Sequence, residues 1–110
     1  MNFKQGDIIR LDFNPQKGYK QRSTSPAVVV SNNFFNKLSS LALVCPIFNT
    51  STDFPLNVSL AEDLITTGSI LCQHIKSLDL KARNVSFVEK LPDNQLQEVL
   101  DIINSQLKPN

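Results

Sequence analysis

Tryptophan is absent from this chain, histidine, tyrosine and methionine occur once each, and there are only three glycines and two cysteines. Two cysteines cannot build a disulfide-dense framework. Cys45 and Cys72 each sit in an apolar, strand-like run with no zinc-type spacing, so both are read as buried, reduced thiols. No apolar run approaches the roughly 18 residues of a membrane-spanning helix. The opening "MNFKQGDIIR" lacks the apolar block of a secretory signal, so a cytoplasmic protein is expected. Internal repeats and low-complexity segments are also missing, and nothing implies a second domain. What remains is 110 residues, 41% of them hydrophobic, enough for one compact domain spanning residues 1–110 with a small core.

Net charge is +1, but it is unevenly spread. Through Leu60, six cations face three acids; from Ala61 onward, five cations face seven acids. Such an asymmetry places a basic surface on the N-terminal part, either as solvated surface or as an attractor of phosphate. It is densest in "KGYKQRSTSP", where Lys17, Lys20 and Arg22 crowd a loop with no acid.

Strands come first along the chain. In "DIIRLDF", Ile9, Leu11 and Phe13 alternate with Arg10 and Asp12, the period of a half-buried strand. "PAVVVS" is β-branched and almost wholly apolar, as a central strand covered on both faces would be. "NNFFNK" suits a helix cap or a turn. "LALVCPI" is a third buried strand whose Pro46 should mark a bulge or an edge. Leu56, Val58 and Leu60 alternate in a fourth strand, Gly68 to Ile75 reads as a fifth, and Val85 to Lys90 as a sixth. "SLDLKAR" between the last two reads as a turn with a structural ion pair. Short strands punctuated about every 8 to 12 residues indicate a small barrel or sandwich. The chain ends differently: Leu96, Val99, Leu100, Ile103 and Leu107 form one stripe of an amphipathic helix. Asp93 is the expected N-cap and Pro109 the stop.

The spaced words "GDII..DF.P.KG..Q", "P.VV.S...FN", "CPI..T...FP..V.L" and "TTG..LC..IKSLDLKAR", followed by the terminal helix, resemble the MazF/PemK-like toxins of toxin–antitoxin modules. The resemblance runs from Gly6 to about Leu107. It implies a mainly β fold with a C-terminal α-helix: a homodimeric, small SH3-like β-barrel of the MazF/CcdB type. It further implies a type II toxin that cuts single-stranded RNA at short sequences, an mRNA interferase needing no metal or cofactor. Its antitoxin would lay a disordered C-terminal segment in the RNA groove.

Without a metal, RNA is cut by its own 2′-hydroxyl attacking the adjacent phosphorus. The protein must then move two protons and stabilise the charge on the phosphorane oxygens. An arginine fork suits that charge. The resemblance implies such an arginine directly before the second strand's proline, and a threonine or serine just after "PI". This chain has Ser25 and Phe48 there, and Lys20 where many relatives carry an acid.

Two readings follow. Either Arg22 supplies the cation, Asn49 or Thr50 replaces the lost hydroxyl, and His74 is the acid or base, or the fold is kept for binding RNA or antitoxin with cleavage weakened or lost. Arg22, His74 and Thr50 are therefore the catalytic candidates. Lys17, Tyr19, Lys20, Gln21, Ser25, Phe48, Asn49 and Gln73 are the RNA-binding candidates, with Tyr19 or Phe48 able to stack a base. Each also has a plainer role: the cations as solvated loop, His74 as a structural histidine, Phe48 and Tyr19 as packing, Asn49 to Thr52 as turn formers. A third possibility is a gyrase poison on the same barrel. The loop from Lys17 to Ser25 reads as a mobile cover over an RNA groove.

Overall fold

The computed structural model describes residues 3–14, 24–49 and 54–110. The chain runs β1 (Asp7–Leu11), β2 (Ser25–Val29), α1 (Asn33–Leu38), β3 (Leu41–Phe48), β4 (Asn57–Ser59), β5 (Ser69–Leu71), β6 (Lys76–Asp79), β7 (Ser86–Lys90) and α2 (Asp93–Leu107). Short 3₁₀ turns at Cys72–His74 and Leu80–Ala82 precede and follow β6.

All pairings are antiparallel. β1 lies between β2 and β7, β2 joins β3, and β3 is shared by two neighbours: β6 along Leu41–Val44 and β5 at Ile47–Phe48. Pro46 falls between those two segments. There its missing N–H removes no ladder bond to a neighbour on that side, which is how a central strand tolerates a proline. Pro46 thus marks a change of partner rather than an outer edge.

Alternation along the strands feeds two cores. Ile8, Val28, Cys45, Ile47, Ile70 and Cys72 face inward beneath α2, together with Val99 and Ile103 of that helix. Ile9, Leu11, Ala27, Val29, Ala42 and Val44 face the other way, beneath Phe3, Phe13, Leu78, Leu80 and Val85. β2 is therefore covered on both faces, as its sequence indicates. β1 is more buried than its alternation suggests, because only Arg10 is exposed along it.

The sheet path β4-β5-β3-β2-β1-β7 leaves β4 and β7 unpaired with each other among the described residues, so the small barrel is curled but laterally open. Glu89 of β7 spans the opening. Its carboxylate accepts from Ile65 N at 3.0 Å, Thr66 N at 2.7 Å and Thr66 Oγ1 at 2.8 Å, binding the loop after β4 to the far edge. Burial opposes ionisation of Glu89, but these three bonds outweigh it and hold its pKa below the ordinary carboxylate value.

Helix α2 closes the inner core through Val99 and Ile103, with Leu96 and Leu100 packed alongside. Gln95 bonds to Ser59 O and Ala61 N near one end, and Gln106 to Cys72 O near the other. Two expectations need correction. Leu107 is 76% exposed, so the covering stripe stops at Ile103. Pro92 occupies the cap position and Asp93 is the first helical residue, with no side-chain cap bond; its carboxylate still meets the positive end of the helix.

The expected fifth strand is also broken. β5 ends at Leu71, and Cys72–His74 turn before β6 begins at Lys76. Within the expected turn Ser77–Arg83, residues 77–79 belong to β6. Arg83 is structural through carbonyls, donating from Nη1 to Asp12 O and Phe13 O. Asn32 caps α1 by accepting from Phe35 N at 2.8 Å, as its residue type suggests. Both cysteines are free and buried. Burial, then the neighbouring Cys72, pushes the Cys45 thiol up to about 12. Burial, then Glu98, pushes Cys72 up to about 11, against a smaller lowering by its own backbone. Among the described residues no helix is long and apolar enough to cross a membrane.

Candidate nucleic-acid interface

At the rim of the barrel, β1, the start of β2, the end of β3 and the loop before β5 meet around an open cleft of ≈ 460 Å³. Register explains the meeting. Arg10 stands opposite Pro26 and Leu11 opposite Ser25, while Phe48 pairs with Ser69. The strands therefore bring the beginning of β2 and the end of β3 to the same end of the sheet.

Gly68 makes the approach of the far wall possible. Its φ of +119° lies in the region open to glycine, and a Cβ there would sit 2.5 Å from Phe48 O and 2.8 Å from Phe48 C. With nothing at that position, Thr67 comes close enough for its Oγ1 to donate to Asn49 Oδ1 at 3.2 Å. Thr66 is fixed on the other side by Glu89. The two threonines thus form a fixed polar part of the cleft wall, which Arg10 and Ser25 also line.

Arg10 is the one charged residue among the described residues lining the cleft. It follows Ile8 by two positions and so shares the inner face of the sheet, but at the rim, where it is exposed. Its Nε donates to Thr24 Oγ1 at 3.2 Å and its Nη2 to Thr24 O. The floor is apolar, from Pro26, Ile47 and Val88. Phe48 is 49% exposed at the edge, an aromatic face available to a base.

Of the residues singled out by sequence, the fold unites Ser25, Phe48 and Asn49 in this cleft. Lys17, Tyr19, Lys20, Gln21, Arg22 and Thr50, and the expected mobile cover as far as position 23, lie outside the described residues. Gln73 and His74 are not among the cleft residues. They occupy the 3₁₀ turn rather than a strand, because the chain turns there from β5 toward β6. His74 is exposed, and Gln73 Oε1 is buried without a hydrogen-bond partner among the described residues.

Arg10, Thr66 and Thr67 were not among the sequence candidates. A strand register was needed to see Arg10 beside Ser25; the signal for the threonines was the word "TTG", a hydroxyl pair before a glycine. A larger cavity of ≈ 640 Å³ lies between α1 and the Leu80–Ala82 turn, lined in part by Phe3, Lys37, Leu80 and Lys81. None of the sequence candidates lines it, and the rim cleft is therefore the better interface.

Comparison with known proteins agrees in sequence and in shape. Residues 4–107 match the family model described as the PemK-like, MazF-like toxin of type II toxin–antitoxin systems. The chain is 31% identical over 99 residues to the endoribonuclease toxin MazF of Escherichia coli K12, covering 90% of this chain and 88% of the relative. It is 26% identical over 111 residues to the endoribonuclease PemK of Escherichia coli, covering 96% and 83%. The crystal structure of MazF from Deinococcus radiodurans superposes with a TM-score of 0.84 at 30% identity, covering 97% of both chains. A crystal structure of MazE–MazF from the same organism gives 0.85 at 26% identity, covering 100% of this chain and 99% of that one. From residue 4 to residue 107, then, the chain belongs to the PemK-like, MazF-like toxins of type II toxin–antitoxin systems.

Proposed function

We propose that this protein is a metal-independent, sequence-selective endoribonuclease, an mRNA interferase that cuts single-stranded RNA in the cytoplasm by 2′-hydroxyl attack. The observation that carries this reading is the rim cleft. It combines a cation, hydroxyl and amide groups fixed by hydrogen bonds, an apolar floor and an exposed aromatic edge, which is the chemistry a single strand of RNA requires.

Arg22 and Thr50 adjoin the cleft along the chain, three residues before Ser25 and one after Asn49, and are proposed as catalytic side chains. Lys17, Tyr19, Lys20 and Gln21 belong to the same connection and contact RNA. A strand leaving the cleft along β5 reaches the Cys72–His74 turn, where Gln73 meets a base and His74 transfers a proton.

The protein acts as a homodimer. Its antitoxin covers the cleft, in keeping with the relatives crystallised as MazE–MazF.

The test is incubation of the purified protein with a long unstructured RNA in EDTA, with fragment ends mapped. Cyclic-phosphate and 5′-hydroxyl ends are expected, and intact RNA would overturn the reading. Phe48 supports a second reading. It offers no hydrogen bond where the family resemblance implies a hydroxyl, as in a homologue that binds RNA or antitoxin without cutting. That protein would leave RNA whole but still bind it, whereas a gyrase poison would leave RNA whole without binding it and would stall supercoiling.

A further inference from the structure

We infer that Arg10 is the phosphate-holding cation of the rim cleft, a role that rests on the RNA reading above and assigns its charge to β1. Arg10 lies opposite Pro26 in the β1–β2 register, so its guanidinium reaches Thr24 and the opening of β2. Two N–H groups, one on Nε and one on Nη2, go to Thr24. A guanidinium has five such donors, so three are without a partner among the described residues. No carboxylate among the described residues pairs with Arg10, and the acid that holds the opposite wall, Glu89, is occupied by Ile65 and Thr66.

The geometry therefore presents a braced fork, without a carboxylate partner among the described residues, to an open cleft that Thr66 and Thr67 also line. Bracing matters because an arginine already held in one rotamer loses less freedom when it binds. The fork suits two non-bridging oxygens of one phosphate. During cleavage the 2′-oxygen bonds to phosphorus and loses its proton to a base, the bond from phosphorus to the 5′-oxygen breaks, and that oxygen takes up a proton. No electrons are exchanged with another reactant. Charge gathers on the two oxygens in the Arg10 fork, so the contact strengthens in the transition state.

The plainer role for Arg10 is a brace that pins Thr24 to β1, and the experiment separates the two. Wild type, Arg10→Ala, Arg10→Gln and Arg10→Lys are compared, with folding checked by circular dichroism. Two measurements are made: single-turnover cleavage of a short RNA, and binding of the same RNA with a 2′-deoxy nucleotide at the cut. Cleavage by Arg10→Ala and Arg10→Gln is expected to fall about 100-fold or more, with Arg10→Lys intermediate and added guanidinium restoring part of the Arg10→Ala rate. The slope of log affinity against log salt should flatten by about 0.7, one single-strand phosphate contact.

Wild-type cutting with no loss in a folded Arg10→Ala or Arg10→Gln protein, and an unchanged slope, would overturn the assignment and leave the nuclease reading standing. A wild type that binds RNA without cutting it would end the nuclease reading, and the salt slope alone would then decide Arg10. If wild type does not bind RNA, both fall. Loss of cutting with an unchanged slope and no rescue by guanidinium would make Arg10 a brace and overturn the assignment.

Discussion

A side chain at position 68 has no room. The 2.5 Å approach of a Cβ to Phe48 O and the positive φ both act against it. Gly68→Ala is expected to cost about 2 kcal/mol or more, read by urea denaturation, since backbone strain and a backbone clash add. A loss below about 0.5 kcal/mol would show that β5 does not approach Phe48 as described.

The two thiols give a second residue-scale prediction. With Cys45 at about 12 and Cys72 at about 11, both stay neutral in the folded protein at pH 8, and a thiol reagent should label them only after unfolding. The unfolded thiols ionise near 9.0, so the folded state binds more protons above that pH. Stability should therefore fall as pH climbs past about 9. Rapid labelling of native protein would contradict this burial.

Among the elements, the loop after β4 and the edge strand β7 are joined by one carboxylate. The Glu89 pKa is lowered in the folded state. Its contribution is therefore present above the unfolded value of 4.5 and is lost as pH falls through the folded one. Glu89→Gln should lower stability by about 1–2 kcal/mol near neutral pH and by less in acid, measured as urea midpoints at both conditions. An equal effect at both would mean that the charge is not what holds the loop. Helix α2 supplies a contrast. Ile103→Ala should cost about 2–4 kcal/mol, while Leu107→Ala, on an exposed position, should cost less than about 0.5.

These same elements show what the sequence made legible. β2 and β3 were readable because β-branched runs have few other uses, and α2 because a long stripe at helical spacing is distinctive. "GSILCQHI" misled because its apolar character continues through Cys72, which is buried as a turn residue. The break exists because β3 changes partner from β5 to β6 on either side of Pro46, a tertiary fact that local composition does not carry. Leu107 kept the helical spacing but ran past the edge of the core.

At the scale of the whole molecule, the positive surplus before Ala61 enters the rim cleft, among the described residues, through Arg10, while Lys37 lines the larger cavity. Ser25, Phe48 and Asn49 were legible as candidates because of the words around them. Arg10 was not, because its significance comes from a register that only the folded sheet fixes. The cavities among the described residues include the rim cleft beside Arg10 and the larger space beside α1, and the proposed function requires RNA to choose the first. The direct test is a nuclear magnetic resonance titration of the whole protein with a short RNA made uncleavable by a 2′-deoxy nucleotide. The largest shifts are expected on Arg10, Ser25, Phe48, Asn49, Thr66 and Thr67, while Lys37 and Lys81 beside α1 stay unmoved. Shifts centred on Lys37, Lys81 and Leu80, with the rim silent, would contradict this expectation.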